Sequence, residues 1–229
     1  MKESPILAKI VVNLLLMFSV SLLSSCSDVY YTAMEKFGYS KRDILVDRVE
    51  KTQEAQSEAQ EEFKSALEQF FLVVKVENSN LKETYLNLNA EYEACLAAAE
   101  AVALRIENVE SVSKDLFSEW SKELEMYQNQ SLQLSSRQRL QDAWGKYNEM
   151  LSSMHQANES MTAVLFTFRD NVLFLKHNLN AQAIGALKNE FSVLKIEIDR
   201  LVLRMNSSIE KSNTFIDELK NTNKRLRYQ

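Results

Sequence analysis

Proline occurs once, at Pro5, and glycine three times, at Gly38, Gly145 and Gly185. Strand-rich and α/β domains use both residues heavily in turns. Their scarcity excludes such folds and leaves a few very long helices. Histidine is equally sparse. Neither His155 nor His177 has a second His or Cys three or four residues away, the spacing a helical metal site requires. No Gly-rich phosphate loop is present, and no strand–turn–helix setting for a nucleophilic serine. Carboxylates are plentiful, but Glu58, Glu61 and Glu62 read as one solvated helix face, and the Glu-x-x-His motif of di-iron bundles is missing. These absences predict no catalytic residues, no cofactor and no metal. The formal net charge is −5, a poor match to nucleic acid, whose binding depends on neutralising phosphates.

Only two cysteines occur, Cys26 and Cys95. The first closes Leu23-Ser24-Ser25-Cys26, after an apolar run from Ile10 to Leu23 broken only by Asn13, Ser19 and Ser21. Lys2 and Lys9 precede it. The run is shorter than the ~20 apolar residues of a spanning helix and ends in small residues, as a processed signal does. It looks like the lipobox of bacterial lipoproteins, with Cys26 lipidated and first in the mature chain. The competing reading is an uncleaved short anchor with Cys26 as an ordinary thiol. Loss of residues 1–25, with two lysines and one glutamate, would make the net charge one unit more negative. Cys95 lies on an apolar seam and reads as a small buried hydrophobe rather than a redox group.

Apolar residues then recur at alternating fours and threes in four runs. The first holds Leu45, Val49, Thr52, Gln56, Ala59, Phe63, Ala66, Phe70 and Val73. The second runs from Leu81 through Tyr85, Leu88, Tyr92, Cys95, Ala99, Val102, Ile106 and Val109 to Leu116, Trp120 and Leu124. The third picks out Leu140, Trp144, Tyr147, Leu151, Met154, Asn158, Met161, Leu165, Phe168, Val172 and Leu175. The fourth runs from Ile184, Leu187, Phe191, Leu194, Ile198, Leu201 and Met205 through Ser208 and Ser212 to Phe215 and Leu219. A repeat of 3.5 residues held this long is the signature of coiled-coil packing. Flanking Leu67, Phe71, Val164, Val202, Ile209 and Ile216 widen the stripe, as a bundle requires.

The spacing predicts an all-α fold, an elongated antiparallel four-helix bundle or coiled coil. Residues 1–25 read as a lipoprotein signal peptide, 26–40 as a membrane-proximal linker with a short helix, and 41–229 as the bundle. Its helices are expected over about 41–76, 81–128, 136–176 and 181–226. Capping boxes beginning at Ser40, Asn80 and Ser135 mark starts, and a box at Thr32 opens the short piece that Gly38 ends. Gly145 and Gly185, inside helical pattern, read as positions of close helix approach. At a rise of 1.5 Å per residue, such helices form a rod about 50 to 70 Å long.

Aligning antiparallel runs puts Gln56, Ala98–Ala99, and Asn158 with Ala157 at mid-height. The core is then small and partly polar in the middle and aromatic at both ends. Buried Gln56 and Asn158, if paired, would set register; the alternative is a solvated seam position. The turn His177-Asn178-Leu179-Asn180 lies with Glu77–Asn80 at the end away from the anchor and is a possible partner tip. Its asparagines read equally as helix caps. Lys36, Lys41 and Arg42, and Lys220, Lys224, Arg225 and Arg227, gather at the anchored end beside Tyr30, Tyr31, Phe37 and Tyr228. They fit either anionic head groups or, for the C-terminal set, the helix dipole.

The stretch Tyr30-Tyr31-Thr32-Ala33-Met34-Glu35-Lys36-Phe37-Gly38, with Lys41-Arg42-Asp43-Ile44-Leu45-Val46-Asp47-Arg48-Val49-Glu50, resembles an uncharacterised family of proteobacterial lipoproteins. That family is the domain of unknown function numbered twenty-nine fifty-nine. Leu175-Lys176-His177-Asn178-Leu179-Asn180-Ala181 is similar to its second recurrent block. The resemblance implies a helical, coiled-coil-rich lipoprotein and carries over no catalytic residue.

Two functions are expected. The first is a non-catalytic scaffold or tether facing the periplasm, held to the membrane through a lipid on Cys26. Ser27 in place of Asp favours the outer membrane by the general sorting rule; the inner membrane is the alternative. The second is a binding adaptor or holdase-like module, with a groove where Ala97–Ala99 and Ala101 leave room for a guest helix. Either role implies a protein partner.

Overall fold

The structure is a computed structural model and describes residues 40–75, 80–178 and 181–226. Those residues form four helices and no strand: α1 (Lys41–Lys75), α2 (Leu81–Leu124), α3 (Gln130–His177) and α4 (Ala181–Leu226). Contacts divide the chain into Met1–Ile44 and Leu45–Gln229. In the first unit only the start of α1 is described. There the expected capping box forms: Ser40 Oγ accepts from the Asp43 amide and Asp43 Oδ2 accepts from the Ser40 amide, each at 3.2 Å. The short helix expected after Thr32 lies outside the described residues, as does Cys26.

The second unit is an all-α bundle with consecutive helices antiparallel. Early residues of each helix meet late residues of its neighbours. Ser65 of α1 donates to Glu91 of α2, Trp120 of α2 to Ser136 of α3, and Gln53 of α1 to Asn213 of α4. Tyr147 of α3 packs on Phe215 of α4. Every residue of the first heptad run is buried, as are all of the fourth except the partly exposed Phe191. Burial of rings such as Phe63, Phe70, Phe168 and Phe215 contributes on the order of 1.5–3 kcal/mol each.

The middle and the ends of this core differ. Gln56, Ala59, Ala99, Ala157 and Ser208 are buried near mid-height. Phe70 contacts Phe168 and Phe191 toward one end, while Phe117, Tyr147 and Phe215 cluster toward the other.

The structure corrects the sequence expectations at three places. The turn between α2 and α3 comes earlier than the pattern implied, because Asn129 caps α3. Its Oδ1 accepts from the amides of Ser131 and Leu132 at 2.9 and 3.2 Å. Ser135 and Ser136 therefore lie inside the helix. Gln133 reaches back to donate to the Leu124 carbonyl at 2.8 Å, satisfying a free acceptor at the end of α2. Asn80 caps α2 by position only, with no side-chain cap bond.

The second correction is the seam of α3. Tyr147, Met154, Met161, Phe168 and Leu175 point inward as expected, but the intervening positions are Ala143, Met150, Ala157 and Val164. Trp144, one residue on from Ala143, is turned outward and Asn158 is half-buried, while Leu165 and Val172 of the expected set are also buried. Small Ala143 and Ala157 let neighbouring helices approach, and the larger residues cover the flank.

The third concerns glycine. A methyl group at Gly145 or Gly185 would meet nothing within 4 Å, so neither marks a close approach.

Candidate functional site

Three glutamines on one edge of α1 donate into α4. Gln53 Nε2 bonds the Ile209 carbonyl at 3.1 Å and Asn213 Oδ1 at 2.9 Å. Gln56 Nε2 bonds Ser208 Oγ at 3.1 Å, and Gln60 Nε2 bonds Asn206 Oδ1 at 3.0 Å. The expected pairing of Gln56 with Asn158 does not occur. Asn158 is half-buried on α3, and Ala157 takes the inward position. Gln56 Oε1 is buried without a partner. Sequence reading missed Gln53, Gln60, Asn206 and Asn213. The signal was present: amides at spacings of three and four on α1, and polar residues clustered at Asn206, Ser208 and Asn213 on α4. Their arrangement joins helices; it presents no reactive atom to solvent.

The expected partner tip divides. His177 is the exposed last residue of α3. Asn178 donates its backbone N–H to the Leu175 carbonyl at 3.2 Å and its side-chain amide to the Phe174 carbonyl at 2.9 Å. Its hydrogen bonds go to closing the helix. Leu179 and Asn180 lie outside the described residues. Of the α2 alanines expected to leave room for a guest helix, Ala97 and Ala101 are exposed and Ala99 is packed into the core.

A cavity does lie between α2 and α3, lower on the same helix pair. It measures about 470 Å³, within the usual range for small-ligand sites. Its aromatic wall follows from the seam shift in α3. With Ala143 inward, the Trp144 ring sits on the flank, 46% exposed, and meets Phe117 edge to face at 4.8 Å and 90°. Tyr147 packs 5.3 Å from Phe117 and 5.5 Å from Trp144. At the cavity floor Ser113 Oγ lies 2.6 Å from the Tyr147 hydroxyl and 2.8 Å from the Glu110 carbonyl oxygen. Burial pushes the Tyr147 phenol above its usual range, against the opposing pull of the Ser113 hydrogen bond. His155 Nε2 stands 2.8 Å from Glu110 Oε1 at one margin. Lys114, Ser118, Ser121 and Gln141 complete the rim.

A second cavity of about 470 Å³ lies between α3 and α4, where Asn171, Phe174 and Leu187 line it together with Asp170 and Glu190. Among the described residues no group of three His, Cys, Asp or Glu side chains is placed to hold a metal ion. Among the same residues no helix is long and apolar enough to cross a membrane. Cys95 is a buried free thiol.

The family described as "Protein of unknown function (DUF2959)" matches residues 30–219. The chain belongs to this family. The match spans all of the described bundle except the end of α4, and it includes both sequence blocks that carried the resemblance. Comparison with curated proteins gives no match.

Proposed function

We propose that this DUF2959 chain is a periplasm-facing lipoprotein, anchored through Cys26, that acts as a non-catalytic helical scaffold or tether. One observation carries the scaffold reading. The interior of the bundle is packed along four helices of 35 to 48 residues, and a row of polar side chains, Gln53, Gln56 and Gln60, is spent joining α1 to α4. A side chain committed to an interhelical hydrogen bond stabilises a shape rather than a transition state. The anchor rests on Leu23-Ser24-Ser25-Cys26, and Ser27 after it favours the outer membrane over the inner. More than one acyl chain is needed for stable attachment, since a single chain binds marginally.

Fractionation of cells carrying the wild type and Cys26→Ala tests the reading. The wild type is expected in the membrane fraction and the variant in the soluble fraction. The same distribution for both would remove the anchor.

The cavity between α2 and α3 favours a second reading, a binding module. Half-exposed Trp144 over a preformed apolar pocket is an arrangement that a guest completes. A hydrophobic dye added to the native protein should then fluoresce, and the signal should fall in Trp144→Ser. No dye signal would leave the scaffold alone.

A further inference from the structure

We propose that the groove between α2 and α3 binds an anionic amphiphile: one alkyl chain carrying a carboxylate head. The proposal rests on the binding-module reading of that groove. Shape argues for the chain. Along α2 the lining runs from Glu110 to Ser121, roughly 16 Å at 1.5 Å per residue, while packed helix axes stand only about 8–10 Å apart. The trough is therefore long and narrow, and its walls are the apolar surfaces of Phe117, Leu140 and Trp144. A flexible chain fills such a trough along its length, whereas a fused planar ring system would have to stand out of it.

Charge argues for the head. The rim's one acid, Glu110, is already engaged by His155 at 2.8 Å. Each of the remaining rim groups can donate, and Lys114 brings a positive charge. Lys114 is exposed and forms no ion pair among the described residues, and Ser118, one turn further along α2, and Gln141 on α3 are exposed on the same lining. An ammonium, a hydroxyl and a side-chain amide on one margin suit a carboxylate. They give no advantage to a neutral alcohol of the same length and disfavour a cation.

The probe is dodecanoate, titrated below its micelle concentration into the full chain, with dodecanol as the neutral control. A Trp120→Phe background leaves Trp144 as the only tryptophan, and its emission should shift to the blue as the chain covers it. Dodecanoate is expected to bind about fivefold more tightly than dodecanol, the scale of one exposed ion pair. Lys114→Gln should abolish that difference without weakening dodecanol, and Ser121→Phe, which fills the trough, should block both. Equal binding of the two probes to wild type and Lys114→Gln would overturn the head-group assignment and leave the groove as a binding site. No Trp144 response to either probe, in a protein that melts normally, would overturn the assignment and the binding-module reading together.

Discussion

Gln56 on α1 and Ser208 on the neighbouring α4 are both fully buried and share one hydrogen bond of 3.1 Å from the Gln56 amide to the serine hydroxyl. The other end of that amide, Oε1, has no partner. A buried polar atom left unpaired costs about 1–3 kcal/mol. Gln56→Leu removes the orphan and should raise the melting temperature, because Ser208 can turn its hydroxyl onto its own helix. Ser208→Ala strips the amide of its only partner and should lower stability by about 1–3 kcal/mol. Thermal melts of the two variants should move in opposite directions. Movement of both downward would show that the pair stabilises more than its orphan costs.

Ala157 and Asn158 differ by one position and should differ sharply in tolerance. Ala157 is fully buried, so Ala157→Leu overpacks the middle layer and is expected to cost about 1–3 kcal/mol. Asn158 is half-buried, and Asn158→Leu should fall within about 0.5 kcal/mol of the wild type. Denaturant titration measures both. A large gain in stability for Asn158→Leu would put that side chain back in the core.

Gly145 and Gly185 offer a stabilisation free of contacts. Both lie within helices, and an added Cβ meets nothing within 4 Å at either site. Gly145→Ala and Gly185→Ala should each add about 0.8–1.0 kcal/mol through helix propensity alone. The sites are on different helices, so the double variant should show the sum. A destabilised Gly185→Ala would reveal a contact made only in an assembly.

Cys95 should be silent toward alkylating reagents. Burial, then the nearby carboxylates of Glu62 and Glu91, push its thiol up to about 12. Native protein at pH 8 is expected to leave Cys95 unmodified by iodoacetamide, and unfolded protein to react fully, as read by peptide mapping. The sign for stability follows. A folded pKa raised above the unfolded value gives a contribution present in full below the ordinary thiol range, which declines as pH climbs toward about 12. Melting temperatures taken from pH 8.5 to 11 should therefore fall less steeply in Cys95→Ala than in wild type. Parallel curves would show that the thiol titrates alike in both states.

Much of this architecture is legible in the sequence. The run from Leu45 to Val73 falls on one helical stripe whose every member is buried. The absence of proline after Pro5 left nothing to interrupt it. The turn after Leu124 was placed too late, because a serine pair resembled a cap and the stronger cap, Asn129, lay among other polar residues. The cavity beside Trp144 was not legible, since a tryptophan on a heptad position reads as core.

Periodicity, composition and the distribution of turn residues by themselves determined that this chain makes four long antiparallel helices with a small, polar middle. A 3.5-residue repeat admits no other regular structure, and short connections admit no other direction. Only the tertiary structure decided which of two adjacent residues faces inward on α3, and that the Gln56 amide meets Ser208 on α4. The physical reason is common to both. A helix in a four-helix ring touches two neighbours, so its buried arc is wider than one heptad seam. Ala143 or Trp144 can each lie within that arc, and the approach of the neighbouring helices chooses between them.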